Sequence, residues 1–198
     1  DDGSAVPVNE NPLPVGSTGT WNVVATLPVP REGPGVTWGL DPADPTRAYL
    51  YVLGGRQNAT TALTSWDLVP LTLAPDGSQA VGAPVVGTNP LGTARWKLGS
   101  SSATRDTSPV IAAGKTYVYG LAGFAANGTS LVSLAEGSEV QAGGQLKPWT
   151  TLPVLNRAGY ANLVAGNFVF AFGGGGGSPT STTVSGQICA AGVGGCGM

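Results

Sequence analysis

Residues 48–55 read AYLYVLGG, and the fold can be worked out from this short stretch. Two stretches of the same kind follow it: TYVYGLAG at residues 116–123 and NFVFAFGG at residues 167–174. Each is a run of aromatic and aliphatic residues that ends in a pair of small residues. Such a run predicts a strand that is covered on both faces and leaves its sheet at a glycine. The chain therefore contains an internally repeated strand.

A second pattern precedes each copy: an arginine, a few small residues, an apolar run and a turn. It is clearest at residues 105–115 and 157–167, where the arginine and the turn glycine have the same spacing. The glycine supplies the positive φ that a tight hairpin turn needs. We therefore expect Arg31, Arg105 and Arg157 each to introduce a strand that folds back onto the aromatic strand.

Further strands are predicted after each pair of small residues, at residues 62–73, 130–134 and 180–188. A tryptophan followed by Leu-Pro precedes two of the arginines, in residues 21–28 and 149–153. The predicted unit is therefore four short antiparallel strands.

Together these features resemble the kelch repeat, in which a strand with an aromatic residue ends in a glycine pair and a tryptophan lies downstream. The resemblance extends from Trp21 to Ile188, with a period of about 50 residues. It implies an all-β fold, a β-propeller whose four-stranded antiparallel blades surround a central channel. The sequence departs from the pattern at Ala122, where the first glycine of a pair is expected, and in the last copy, which ends without its tryptophan strand.

The resemblance divides the chain into parts of a single propeller domain. Residues 1–30 would supply outer strands of a preceding blade, residues 31–95 and 96–156 one blade each, and residues 157–198 a partial blade. Closed propellers have about four to eight blades, so three units are too few. Either the chain is a piece of a larger propeller or several copies assemble to close the ring. The sequence favours a piece, because an open propeller leaves strand edges exposed.

The composition limits the class of protein. Only 10% of the residues are charged, and 32 glycines and 16 prolines suit short strands joined by tight turns. The net charge of −2 and the scattered basic residues argue against a nucleic-acid partner. No apolar stretch is long enough to predict a membrane span. A surface rich in Thr, Ser, Gly and Asn, with no initiator Met at the start, favours a secreted or cell-surface protein.

The sequence contains no histidine. This removes the commonest general base and the commonest metal ligand, so we predict no enzyme activity, no cofactor and no metal site. The kelch-like copper oxidases that resemble galactose oxidase depend on histidines that are missing here. Asp41 and Asp44 are expected to form turns and not to bind calcium. An enzyme would require active residues outside this chain.

Three arginines are candidate binding residues. The family geometry implies that Arg31, Arg105 and Arg157 lie on loops that enter the innermost strands, near the mouth of the channel. There they would bind carboxylates of a peptide or an acidic sugar. The alternative is that they bond backbone carbonyls and tie adjacent blades together.

The aromatic residues fall into two groups. Trp38 and Tyr160 lie just beyond two of the arginines and are candidates for contact with a ligand. The aromatic residues at repeated positions are expected in the core, namely Trp21, Trp149, Tyr51, Tyr119 and Phe170. The predicted function is protein recognition or extracellular assembly, and the alternative is carbohydrate binding. The partner would be another protein, or copies or segments that complete the propeller.

Two other pairs of residues suggest covalent modification. Cys189 and Cys196 could close a small disulfide loop over a glycine-rich segment, or remain as two free thiols. Asn58 and Asn127 lie in N-x-Thr sequons just after two of the strand ends. They would be glycosylated only in a host that glycosylates secreted proteins, and otherwise they are ordinary turn residues.

Overall fold

The computed structural model describes residues 23–74, 79–104, 114–175 and 178–188. Within these ranges the chain is all β, with strands in antiparallel sheets and no helix. Consequently, no helix there is long and apolar enough to cross a lipid bilayer. The all-β prediction is confirmed, and none of the described sheets closes on itself.

Sheet I is built around the first copy of the repeated strand. Its strands are β1 (Gly35–Asp41), β2 (Asp44–Leu53), β5 (Trp66–Leu73), β6 (Gln79–Val81) and β7 (Val85–Val86). They are ordered β1-β2-β5-β6, and β7 also pairs with β5. A small hairpin of β3 (Arg56–Asn58) and β4 (Thr61–Ala62) lies between β2 and β5. The aromatic strand β2 thus lies in the centre of its sheet, as its continuous apolar sequence predicts.

Sheets II and III repeat this plan. Sheet II contains β8 (Gly99–Thr104), β9 (Thr116–Leu121), β10 (Ala135–Glu139) and β11 (Thr150–Leu152), and consecutive strands are neighbours. Sheet III contains β12 (Ala161–Ala165), β13 (Phe168–Phe172) and β14 (Thr183–Gln187), with β13 in the middle. All three copies of the repeated strand are therefore the second strand of an antiparallel sheet.

Two strand predictions were wrong in sheet II. Residues 130–134 are not the third strand, which is β10 and begins at Ala135. The preceding loop first closes on itself, because Ala125 N–H bonds the Ser130 carbonyl and Val132 N–H bonds the Gly123 carbonyl. The strand paired with β9 on its other side is β8, which ends before Arg105. Arg105 therefore follows this strand and does not introduce it.

The sheets stack in series on two hydrophobic clusters. Between sheets I and II lie buried residues that include Tyr49, Tyr51, Leu53, Trp66 and Val118. Trp149 packs against the same cluster, and its indole N–H donates to the Asn89 carbonyl at 2.9 Å. Between sheets II and III a second cluster includes Tyr119, Leu121 and Ile188. The core prediction is confirmed for Tyr51 and Tyr119. Trp149 and Phe170 are only half-buried, and Trp21 lies outside the described residues.

Candidate functional site

Arg31 is an internal anchor of sheet I. Its Nη1 donates to the carbonyls of Gly54 and Ser65 at 2.6 and 3.0 Å, and its Nη2 donates to Asp67 Oδ2 at 2.6 Å. Both charged side chains are fully buried. Burial raises the pKa of Asp67 above its ordinary value, although the charge and the hydrogen bond of Arg31 oppose this shift. The pair fastens the loop before β1 to the ends of β2 and β5.

Arg157 occupies the corresponding position in sheet III. Its Nη1 donates to the carbonyls of Gly173 and Thr182, and its Nη2 donates to the Thr182 hydroxyl at 3.0 Å. Register explains why no carboxylate takes part: Asp67 is the second residue of β5, and the second residue of β14 is Val184. Within the described part of the chain, Arg157 is therefore held by neutral groups.

Arg95, which the sequence interpretation missed, is the anchor of sheet II. Its side chain is fully buried, and its Nη2 donates to the Gly120 carbonyl and to Glu136 Oε2 at 2.8 Å. Glu136 is the second residue of β10, the place of Asp67 in β5. Arg95 lies four residues before its strand, as Arg31 and Arg157 do, whereas Arg105 lies after it and outside the described residues.

The anchors also share a backbone geometry. The residue two positions after each arginine has a positive φ: 56° at Gly33, 48° at Lys97 and 62° at Gly159. In two sheets this residue is the glycine that such a conformation favours. In sheet II it is Lys97. The sequence after Arg95 therefore lacks the glycine that would have identified this arginine.

The arginines form the contacts that the alternative interpretation expected, but within single sheets. Every partner given above lies in a strand of the sheet of its own arginine or directly beside one. These guanidinium groups therefore do not tie neighbouring sheets together through the contacts given above. Their role in binding a ligand stays a prediction. The donors named above meet carbonyls, carboxylates and a hydroxyl of the protein itself. Nε of Arg31 and both Nε and Nη1 of Arg95 are buried without a hydrogen-bond partner among the described residues.

Trp38 and Tyr160 belong to different surfaces. Trp38 lies on β1 with 55% of its surface exposed. The Tyr160 hydroxyl donates to the Leu121 carbonyl at 2.7 Å, and its ring packs against the cluster between sheets II and III. Burial raises the pKa of this phenol well above its ordinary value. Of the two predicted ligand contacts, only Trp38 therefore presents a large aromatic surface to solvent.

The two sequon asparagines are exposed: Asn58 is the last residue of β3, and Asn127 lies in a turn. Asn58 Oδ1 accepts hydrogen bonds from the backbone N–H and the hydroxyl of Thr60, both at 2.9 Å. Asn127 Oδ1 accepts from the N–H groups of Thr129 and Ser130. The predicted turn is confirmed for Asn127, whereas Asn58 ends a strand just before a turn. Glycosylation stays a prediction. Cys189 and Cys196 lie outside the described residues.

The predicted turn aspartates are engaged in structural hydrogen bonds. Asp44 Oδ1 accepts from the N–H and hydroxyl of Thr46, and Asp41 Oδ1 accepts from the Ala43 N–H. Asp41 Oδ2 additionally accepts from the Tyr49 hydroxyl at 2.8 Å and from the Gly143 N–H at 3.0 Å. Both aspartates therefore form turns, and Asp41 also links sheet I to a loop of sheet II.

A cavity of about 300 Å³ lies beside this link. Its lining includes Arg47, Tyr49, Leu68, Pro70 and Gln145. In the part of the chain that the structure describes, no group of three or more His, Cys, Asp or Glu side chains is placed to hold a metal ion. The cavity is thus lined by apolar and polar side chains together with the charged side chain of Arg47.

Among the described residues, large apolar side chains are exposed on the first and on the last sheet of the stack. On sheet I, Val36 and Trp38 of β1 are 54% and 55% exposed. On sheet III, Phe168 and Phe172 of β13 are 40% and 41% exposed, and the neighbouring Leu163 is 46% exposed. We call these the Trp38 face and the phenylalanine face. Large apolar side chains grouped in this way are typical of interaction surfaces.

Comparisons with known proteins assign no family. No family model matches the chain, and no curated protein matches it. A solved structure described as "Structure of YjhT" is similar at 12% sequence identity, with a TM-score of 0.49. The alignment covers 82% of this chain and 44% of that one, so the chain corresponds to less than half of that structure. A similarity at this level determines neither the fold nor the function of this chain.

Proposed function

We propose that the chain is part of a secreted, kelch-like β-propeller that mediates protein recognition or extracellular assembly and does not catalyse. In this proposal sheets I, II and III are successive blades. The positions of the first strands support it, because β1 lies next to β8 and β8 lies next to β12. The second strand of each sheet then carries the apolar residues that pack between blades. A propeller places its strands in this order around a channel.

The observation that carries the binding role is the pair of apolar faces at the ends of the stack. Phe168, Phe172, Val36 and Trp38 expose 40–55% of their surfaces. Exposed apolar groups of this size are costly to keep in water and are typical of surfaces that another protein covers. The proposed activity is therefore adhesion through these faces.

The absence of a catalytic role is supported by residue chemistry. The chain has no histidine, and the buried carboxylates Asp67 and Glu136 accept hydrogen bonds from arginines. A general base must be free to take a proton from a substrate, and these groups are held inside sheets. An extracellular location is supported by the low content of charged residues.

The proposal can be tested by capture on the immobilised chain. Extracellular proteins of the source organism are passed over the wild type, over Phe168→Ser/Phe172→Ser and over Trp38→Ser. We expect retention of a defined protein by the wild type and its loss in at least one face variant. Val154→Ser is the matched control, because Val154 is 65% exposed and lies in no strand. Retention that none of the face variants changes would contradict the proposal.

Carbohydrate binding is the second candidate, and the exposed indole of Trp38 is the observation that favours it. Aromatic faces stack on sugar rings, and Trp38 has the solvent exposure that such stacking needs. A glycan array separates the two functions. Binding of a defined glycan that Trp38→Ala abolishes would support carbohydrate binding. An array on which no glycan binds would contradict it.

A further inference from the structure

The two end faces correspond to surfaces that already pack together inside the chain. Counting back from the small pair that ends each strand, Phe168, Phe170 and Phe172 of β13 stand where β2 has Tyr49, Tyr51 and Leu53. In β9 the same positions are Tyr117, Tyr119 and Leu121. The residues of β2 pack on sheet II, and those of β9 pack on sheet III. The phenylalanine face is therefore the third surface of this kind, and the one exposed to solvent.

The surfaces that receive these residues also correspond. Sheet II meets sheet I through Val118, three residues before the end of β9, and sheet III meets sheet II through Val169 of β13. The equivalent position in sheet I is Leu50, which lies opposite Trp38 in the β1–β2 pairing. Side chains alternate between faces along a strand, so Val36, Trp38 and Leu50 share one face. The Trp38 face is thus the receiving surface of the first sheet.

Backbone hydrogen bonds also connect each sheet to the one before it in the stack. The Lys97 N–H donates to the Gly33 carbonyl at 2.7 Å, and the Gly159 N–H donates to the Lys97 carbonyl at 3.1 Å. These are the three positive-φ residues that follow the anchor arginines. Each sheet is thereby joined to the previous one by the same contact, in addition to its apolar cluster.

We propose that the phenylalanine face of one copy packs on the Trp38 face of a second copy, and that two copies close into a ring of six sheets. This inference rests on the propeller proposed above and names its partner. The contact between copies would repeat the packing of sheet I on sheet II and of sheet II on sheet III, and this repetition supports the proposal. A head-to-tail contact forms a ring when its rotation closes, and six sheets lie within the range of closed propellers. The backbone hydrogen bonds between sheets would continue from Gly33 N–H of the second copy to the Gly159 carbonyl of the first.

Sedimentation velocity on the purified 198-residue chain tests this inference. We expect the wild type to sediment as a dimer. Phe172→Glu should remove the contact from one side and Trp38→Glu from the other, each raising the dissociation constant by about 30-fold or more. Val154→Glu is the control and should remain dimeric, because Val154 lies on neither face. Far-UV circular dichroism verifies folding, and Phe172→Ser and Trp38→Ser replace any variant that fails to fold.

A mixing experiment identifies the head-to-tail arrangement. Phe172→Glu keeps an intact Trp38 face, and Trp38→Glu keeps an intact phenylalanine face. Each variant alone should be monomeric, and an equimolar mixture should form dimers through its one intact interface. A symmetric contact between identical faces would allow one of the variants to dimerise alone and would overturn the inference.

Two further outcomes would also overturn it. A wild type that is monomeric up to high micromolar concentration shows that a second copy does not cover the faces, and a series of larger species shows an open polymer. The function proposed above is judged separately: a monomeric chain that retains another protein through either face would support that function while excluding the second copy.

Discussion

The strands β2 and β13 have nearly the same sequence pattern and opposite surroundings. Tyr51 of β2 is fully buried, and its hydroxyl donates to the Gly144 carbonyl at 3.0 Å. Phe170, at the corresponding position of β13, is half-buried between Phe168 and Phe172, with ring centroids 6.0 and 6.2 Å apart. The difference is that sheet II covers β2, whereas no described segment covers this face of β13. A continuous apolar sequence thus predicts that a strand is covered, but it does not identify the segment that covers it.

The largest expected difference between these strands concerns cavity formation. Tyr51→Ala should lower the free energy of unfolding by about 3–5 kcal/mol, because a large buried ring and a hydrogen bond are lost. Phe170→Ala should cost roughly half as much, since its ring is already partly in water. Urea denaturation at a concentration where the chain is monomeric measures both. Equal costs would contradict the exposure of the phenylalanine face.

The anchors provide the next comparison. Arg31→Leu should cost about 3 kcal/mol, because it leaves the buried carboxylate of Asp67 without its cation. Arg157→Leu should cost about 1–2 kcal/mol, since its partners Gly173 and Thr182 are neutral. The same denaturation experiment measures both variants.

The double variant Arg31→Leu/Asp67→Leu is the control for this comparison. It should recover much of the loss, because it removes both charges together. A double variant that is no more stable than Arg31→Leu would show that the stranded carboxylate is not the cause.

The smallest expected effect is the pH dependence of the link between sheets I and II. Burial acts to raise the pKa of Asp41, but hydrogen bonds from Ala43, Tyr49 and Gly143 outweigh it and hold the pKa below its ordinary value of 3.8. The resulting stability is present above pH 3.8 and is lost as the pH falls through the lower folded-state pKa. Asp41→Asn should therefore cost about 1–2 kcal/mol at neutral pH and progressively less in acid.

Unfolding of Asp41→Asn and of the wild type between pH 2 and pH 7 measures this effect. Asp44→Asn is the matched control in the same turn, because its carboxylate bonds only to Thr46 and an exposed arginine. It should show a smaller difference. A difference between Asp41→Asn and wild type that grows as the pH falls would contradict the direction of the shift.

The candidate site shows how far residue spacing can be trusted. Arg31 and Arg157 were correctly placed before their strands, because small residues and a glycine follow them. The spacing of Arg105 to the next turn matches that of Arg157, so the sequence interpretation predicts Arg105 and does not consider Arg95. Sheet II instead has Lys97 in the left-handed conformation and a longer connection between β8 and β9, so spacing alone selected the wrong arginine.

The sequence by itself determined the all-β class and the three central strands. A short, continuous apolar run that ends in small residues is stable in water when both of its faces are covered, as they are in a central strand. It also indicated that the arginines before these strands have a common role. Only the tertiary structure decided that this role is to bond carbonyls and carboxylates within each sheet, because the partners lie 16 to 41 residues away along the chain. It likewise decided that Tyr51 is buried and the phenylalanine face is exposed, since burial depends on which sheet stacks next and not on the strand itself.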